Sequence, residues 1–270
     1  MPSAELESSA SSVGSLLQYW RKVRSLSQLA LANEAEVSPR HISFLETGRA
    51  KPSREMVLLL ANVLGVPLRE QNALLLAAGF APVYAETRFD ANELGAVQTA
   101  LTAILRQQEP FPAVVMNRHW DLVRGNDAAQ RFFGLMLGER ASTEPVNVVR
   151  AMFAPNGLRP WVSNWEQVAE TLIQRVHREA VGGVTDAATT RLLAEVLAYP
   201  DVPPRVRRLN LGAPSVPVIP ICFRKGEHAF DFFSTVTTLG TPQDVTLQEL
   251  RIECFFPADA ETERRARALA

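Results

Sequence analysis

From Leu16 to Ala78 apolar residues recur at helical spacing, interrupted by short turn signals. Leu16, Leu17, Trp20 and Val23 outline a first amphipathic helix. Ser27 is a good N-cap for a second over 28–35, with Leu29, Ala30 and Leu31 available to a core, although Ser25 offers a rival capping box. Ser38 followed by Pro39 starts a third, because proline at the first helical position loses no hydrogen bond; it runs to Glu46 and stops at Gly48. Ser53 begins a fourth with Met56, Val57, Leu60, Ala61 and Leu64 inward, and Pro67 opens a fifth that ends at Gly79. Five short helices joined by tight turns predict a compact all-α module.

After Phe80 the pattern changes. Residues 92–108 read as one more helix, ended by Pro110 and Pro112. Residues 113–116 and 120–123 read as two strands about a turn at Asn117–Arg118, and Asn126 or Asp127 caps a helix carrying Ala128, Ala129, Phe132 and Phe133. Residues 146–199 are mainly helical, with Trp161, Trp165, Val168, Leu172 and Val176 at helical intervals. From Pro203 the chain turns to strands. Residues 217–223 are an apolar run, Phe230, Phe232, Ser234 and Val236 alternate with Asp231, Phe233, Thr235 and Thr237, and Leu250, Ile252, Cys254 and Phe256 alternate with Arg251 and Glu253. The second part is therefore expected to be α+β.

Composition limits the function classes. The chain has 270 residues, 47% of them hydrophobic, and a net charge of −1, which is the profile of a soluble globular protein of one large or two modest domains. No apolar run approaches a membrane span of roughly 18 residues. Met1–Ser15 has no basic n-region, so it reads as a flexible lead-in and not a secretory signal. Cys222 and Cys254 make no disulfide framework and no metal-ligand spacing, so the expectation is a cytoplasmic protein with two reduced thiols and no metal. The neutral total hides a local excess: between Ser15 and Arg54 seven basic residues face three acidic ones.

That excess surrounds a helix, a turn at Glu36–Val37 and a second helix, the arrangement of a DNA-reading helix-turn-helix. The run LSQLALANEAEVSPRHISFLETGRAKPSREMVLLLANVLGV resembles the phage-repressor-like (Xre-type) domain in Ser27–Gln28, Leu29–Ala30, Val37–Ser38, Ile42–Ser43, Glu46-x-Gly48, Pro52–Ser53 and Ala61-x-x-Leu64. The resemblance implies that Ser38 caps the recognition helix, that Pro39, Arg40 and His41 lie on its exposed first turn, and that Ile42 and Leu45 point into the bundle. Arg40 suits a bidentate bond to guanine; His41 and Ser43 suit a base or phosphate, Gln28 a phosphate, and Arg49 and Lys51 the DNA backbone. Glu46 reads as structural, because its charge would repel phosphate.

The second part carries no G-x-G-x-x-G, P-loop, H-E-x-x-H or G-x-S-x-G, and its histidines are scattered singly. No catalytic residue is assigned and the chain is read as no enzyme. Its aromatic wealth, notably Phe132, Phe133, Trp161, Trp165, Phe230 and Phe232, fits either a plain core or the lining of an apolar pocket. The segments LLLAAGFAPVY, PAVVMNRHWDLVRGNDAAQRFFG and FSTVTTLGTPQDVTLQELRIECFFPAD resemble the MmyB-like transcription regulators, in which an Xre-type domain precedes a PAS-like ligand-binding domain. The W-x-x-H-x-V and H-P-x-x-G elements common in the family's actinobacterial members are absent, and Pro200–Asn210 stands in their place, so no ligand residue is carried across from those members.

The resemblance implies a homodimeric regulator of double-stranded DNA that holds a small apolar ligand of the long-chain fatty acid type; no cofactor is expected, because no histidine is placed as a haem ligand and neither cysteine sits in a flavin-adduct motif. Arg124, Arg131 and Arg150 are then the partners available to a carboxylate head. Two other readings remain: a second domain that is only a dimerisation platform, or an enzyme domain fused to a DNA-binding one. The expected boundaries are a flexible segment at 1–14, the helix-turn-helix domain at 15–80, a connector at 81–88, the PAS-like domain at 89–260 and a charged tail at 261–270.

Overall fold

The computed structural model describes residues 12–138, 146–181, 187–204, 218–240 and 242–270. The first eleven residues of the expected lead-in and residues 205–210 of the 200–210 stretch lie outside these ranges. The chain divides into two compact units, Met1–Glu86 with Gln243–Gln248, and Thr87–Pro242 with Glu249–Ala270.

The first unit is helical: α1 (Val13–Val23), α2 (Gln28–Glu34), α3 (Pro39–Glu46), α4 (Arg54–Val63) and α5 (Leu68–Ala77). Each of the first four starts where a serine hydroxyl accepts an orphan N–H: Ser12 from Ser15, Ser27 from Ala30, Ser38 from His41 and Ser53 from Met56. Ser27, not Ser25, is thus the cap of α2. Ser12, Val13 and Gly14, the end of the expected flexible segment, are already part of the first helix and its cap. A Cβ at Gly14 would lie 2.5 Å from the Leu45 carbonyl oxygen, so α1 meets the end of α3 with room only for hydrogen. Leu17, Trp20, Leu31, Ile42, Leu45, Val57, Leu60, Leu74 and Leu75 fill the core.

The second unit is α+β. Its antiparallel sheet has the order β2–β1–β5–β4–β3, from β1 (Ala113–Met116), β2 (Leu122–Gly125), β3 (Ile219–Lys225), β4 (His228–Thr237) and β5 (Arg251–Pro257). Helices α6 (Gly95–Gln107), α7 (Asp127–Leu137), α8 (Val148–Phe153), α9 (Trp165–Val181), α10 (Ala187–Leu197) and α12 (Ala260–Ala268) accompany it. The short α11 (Val245–Glu249) falls almost wholly in the stretch grouped with the first unit.

Three elements differ from expectation. β2 begins at Leu122, not at residue 120, because the turn extends to Asp121: the Asn117 side-chain oxygen accepts the N–H groups of His119 and Asp121, and Trp120 adopts φ 67°. Residues 261–268 of the expected charged tail at 261–270 belong to α12, capped by Asp259, with Thr262 and Ala266 buried. β5, the middle strand of five, is buried on both faces from Ile252 to Phe255, and Glu253 lies inside, on the face against which α7 and α8 stand.

One side chain joins the start of this unit together. Asn126 caps α7 by accepting from Ala129, accepts also from Ala113 of β1, and donates to the carbonyls of Leu105 and Phe111. It is buried with every one of these groups satisfied.

Candidate DNA interface and ligand cavity

In the first unit, α2 ends at Ala35 and the chain reverses through Glu36, which adopts φ 55°, before Val37 donates back to the Ala32 carbonyl. This tight turn presents α3, whose Ile42 and Leu45 are buried and whose Ser38, Pro39 and Arg40 are exposed; His41 and Ser43 are half-buried. At the other end of the two helices, Arg21 Nε and Nη2 donate to the two oxygens of Glu46 at 2.6 and 2.8 Å, and Gln28 Nε2 donates to Glu46 Oε2 at 2.8 Å. Burial pushes the Glu46 carboxyl up, but the bonds from Arg21 and Gln28 and the charges of Arg21 and Lys22 outweigh it, holding it below the usual carboxylate range.

Phe44 lies half-buried on α3 and is not among the residues of the first unit's core or those packed against it. The Arg40 guanidinium carbon stands 5.1 Å from its ring centroid and that of Arg49 6.0 Å. Arg49 reaches it because Gly48, at φ 71°, lets the chain fold back so that the N–H groups of Arg49 and Ala50 bond the Phe44 carbonyl. Arg49 and Lys51 are exposed. Not all of the local positive charge is available: besides Arg21, Arg24 is committed to the Leu64 and Gly65 carbonyls at the end of α4.

The second unit holds an apolar cavity of about 370 Å³ between the sheet and helices α7 and α8, within the roughly 300–1,000 Å³ of small-molecule sites. Its walls include Val114 and Leu122 of the sheet, Ala129, Phe133, Gly134 and Leu137 of α7, Met152 of α8, Leu158 and Phe255. Glu253 is the charged residue in this lining, and Gln130 is also polar. The Glu253 carboxyl accepts a hydrogen bond from Ser234 Oγ at 2.6 Å, and both residues are buried.

Comparison with known families agrees with this division. Residues 17–71 match the model described as helix-turn-helix, and residues 97–269 match the model described as MmyB-like transcription regulator ligand binding domain. No curated protein matches the chain significantly. The second match alone spans well over half of the sequence. The chain belongs to the MmyB-like transcription regulators. It is a DNA-binding regulator with a ligand-binding domain. Among the described residues, no helix is long and apolar enough to cross a membrane.

The residues singled out from the sequence fall as follows in the regulator. Ser38, Pro39, Arg40, His41, Ser43, Arg49 and Lys51 lie on or just beyond α3, and Gln28 is brought to it through Glu46. Gln28 spends one amide N–H on Glu46 and keeps the second. Of the aromatic residues, Phe133 lines the cavity. Phe132 is the hub of a packed cluster, edge-on to Phe223, Phe230 and Phe232 with centroids 5.1–5.3 Å away. Trp165 packs against Phe153 and Arg159 and donates to the Asp201 carbonyl, while Trp161 lies beneath the Lys225 ammonium.

Arg131 pairs with Glu109, Arg150 with Glu195, and Arg124 donates to Thr102; none of the three lines the cavity. Two residues were not foreseen. Phe44 looks like core, since apolar Ile42 and Leu45 flank it, and Glu253 looks solvent-facing by strict alternation. Arg40, one helical turn before Phe44, was the available signal for the first.

Proposed function

We propose that this regulator reads operator DNA as a homodimer in the cytoplasm, and that a small molecule with a long apolar body occupies the cavity and modulates that binding. The observation that carries the reading is the apolar chamber inside the domain that matches the family's ligand-binding model. A filled core would serve a mere dimerisation platform better, because an empty apolar space forfeits dispersion contacts with its walls. The fatty-acyl type expected from the family resemblance supplies the apolar body.

Dimerisation has its own motive: one recognition helix reads only a few base pairs, and two half-sites about one DNA turn apart supply the remaining affinity. The ligand then controls binding only if its affinity differs between the free and DNA-bound forms. Native mass spectrometry with solvent extraction tests the sensor reading. The expected result is a dimer carrying, or taking up, an acyl-chain compound; a protein that neither co-purifies with nor binds any such compound refutes it. Consumption of the bound compound would favour an enzyme instead.

A further inference from the structure

We infer that the ligand carries a hydrogen-bond donor head, a hydroxyl or an amine, that bonds Glu253, and that the cavity disfavours a carboxylate. This rests on the cavity being the ligand site. Glu253 sits in the middle strand, opposite Val114 of β1 on one side and Val236 of β4 on the other. It shares a strand face with Phe255, and both residues line the cavity. It is only 6% exposed. Ser234 supplies its one hydrogen bond, and among the described residues no cationic side chain pairs with it.

A carboxyl group has about four acceptor positions, of which Ser234 occupies one. The second oxygen is not among the fully buried atoms that lack a partner, so the remaining positions stay open to a donor in a cavity whose other walls are mainly apolar. A ligand hydroxyl or ammonium entering first supplies what is missing. A ligand carboxylate entering first puts two acids in one apolar chamber, where both cannot ionise without strong repulsion. Entering tail first, it would press methyl groups on Glu253 and leave the acceptor positions empty. The three arginines named above, which might have received an acid head, are all absent from the lining.

The test compares three probes of equal chain length, decanol, decylamine and decanoate, titrated calorimetrically into the full-length protein at neutral pH, with wild type and Glu253→Gln. Glutamine preserves the acceptor for Ser234 and adds a donor, so the fold should survive; circular dichroism and melting check this. In wild type, decanol or decylamine should bind roughly tenfold or more tightly than decanoate. In Glu253→Gln the amine should lose its advantage and decanoate should gain. Equal or preferred binding of decanoate by wild type, or an unchanged order in the variant, overturns the head-group assignment while leaving the cavity reading intact. Binding of none of the three by wild type overturns both.

Discussion

Arg21 of α1 grips both carboxylate oxygens of Glu46 at the C-terminal end of α3, and the Glu46 side chain has almost no exposure of its own. Removing one partner leaves the other buried and unpaired. Glu46→Ala should therefore destabilise the first unit by about 3–5 kcal/mol, read as faster hydrogen exchange throughout α1 and α3. Unchanged protection would mean that the pair is ornamental.

The same pair has a pH signature. The Glu46 carboxyl is held below its ordinary value in the folded chain, so its contribution is fully present above the unfolded-state value and is lost as pH falls through the folded one. Local protection in α1 and α3 should decline on acidification below the usual carboxylate range. Glu46→Gln should flatten that decline.

On the DNA face, Arg40→Ala should weaken binding to a selected operator by about 1–3 kcal/mol and relax preference at one base position. Lys51→Ala should weaken all sequences alike and reduce the salt slope by about one. Unchanged affinity and preference for Arg40→Ala would place the reading helix elsewhere.

Phe44 offers an apolar surface between two guanidiniums on that face, the chemistry that suits a thymine methyl. Replacing each operator thymine by uracil should reveal a position where wild type loses about fourfold, the worth of one buried methyl, and Phe44→Ala loses nothing further. If no thymine behaves in this way, the ring serves only to hold Arg40 and Arg49.

Gly134 tests the cavity. A Cβ there meets nothing within 4 Å, so Gly134→Leu should fold and place its side chain in the space that the ligand needs. Uptake of acyl-chain probes should fall sharply while operator binding without ligand persists. Undiminished uptake would move the ligand site away from α7.

Local chemistry was the legible part. Ser27, Ser38 and Ser53 announce their helices because a cap acts within three residues, and the strand β4 follows from alternation that the sheet preserves from Phe230 to Ser234. What escaped depends on distant partners. Glu253 alternates as a solvent-facing residue should, and only elements from far earlier in the chain, α7 and α8, stand against its face of the sheet and bring it indoors. Arg24 counts as positive charge in the sequence, yet the end of α4 claims it. Phe132 and Phe133 are adjacent aromatics of the same type, and nothing short of the fold separates the one that packs from the one that lines a space.

That last adjacency has a mechanical side. The Phe133 ring touches Phe132 at 5.2 Å and Phe255 at 6.0 Å, so the wall of the chamber is also a brace of the aromatic cluster beneath the sheet. A guest molecule leaning on that wall would stiffen α7, and through the Asn126 knot at its first turn would stiffen β1 and α6 as well. Occupancy would thus be felt as a change in rigidity before any change in shape.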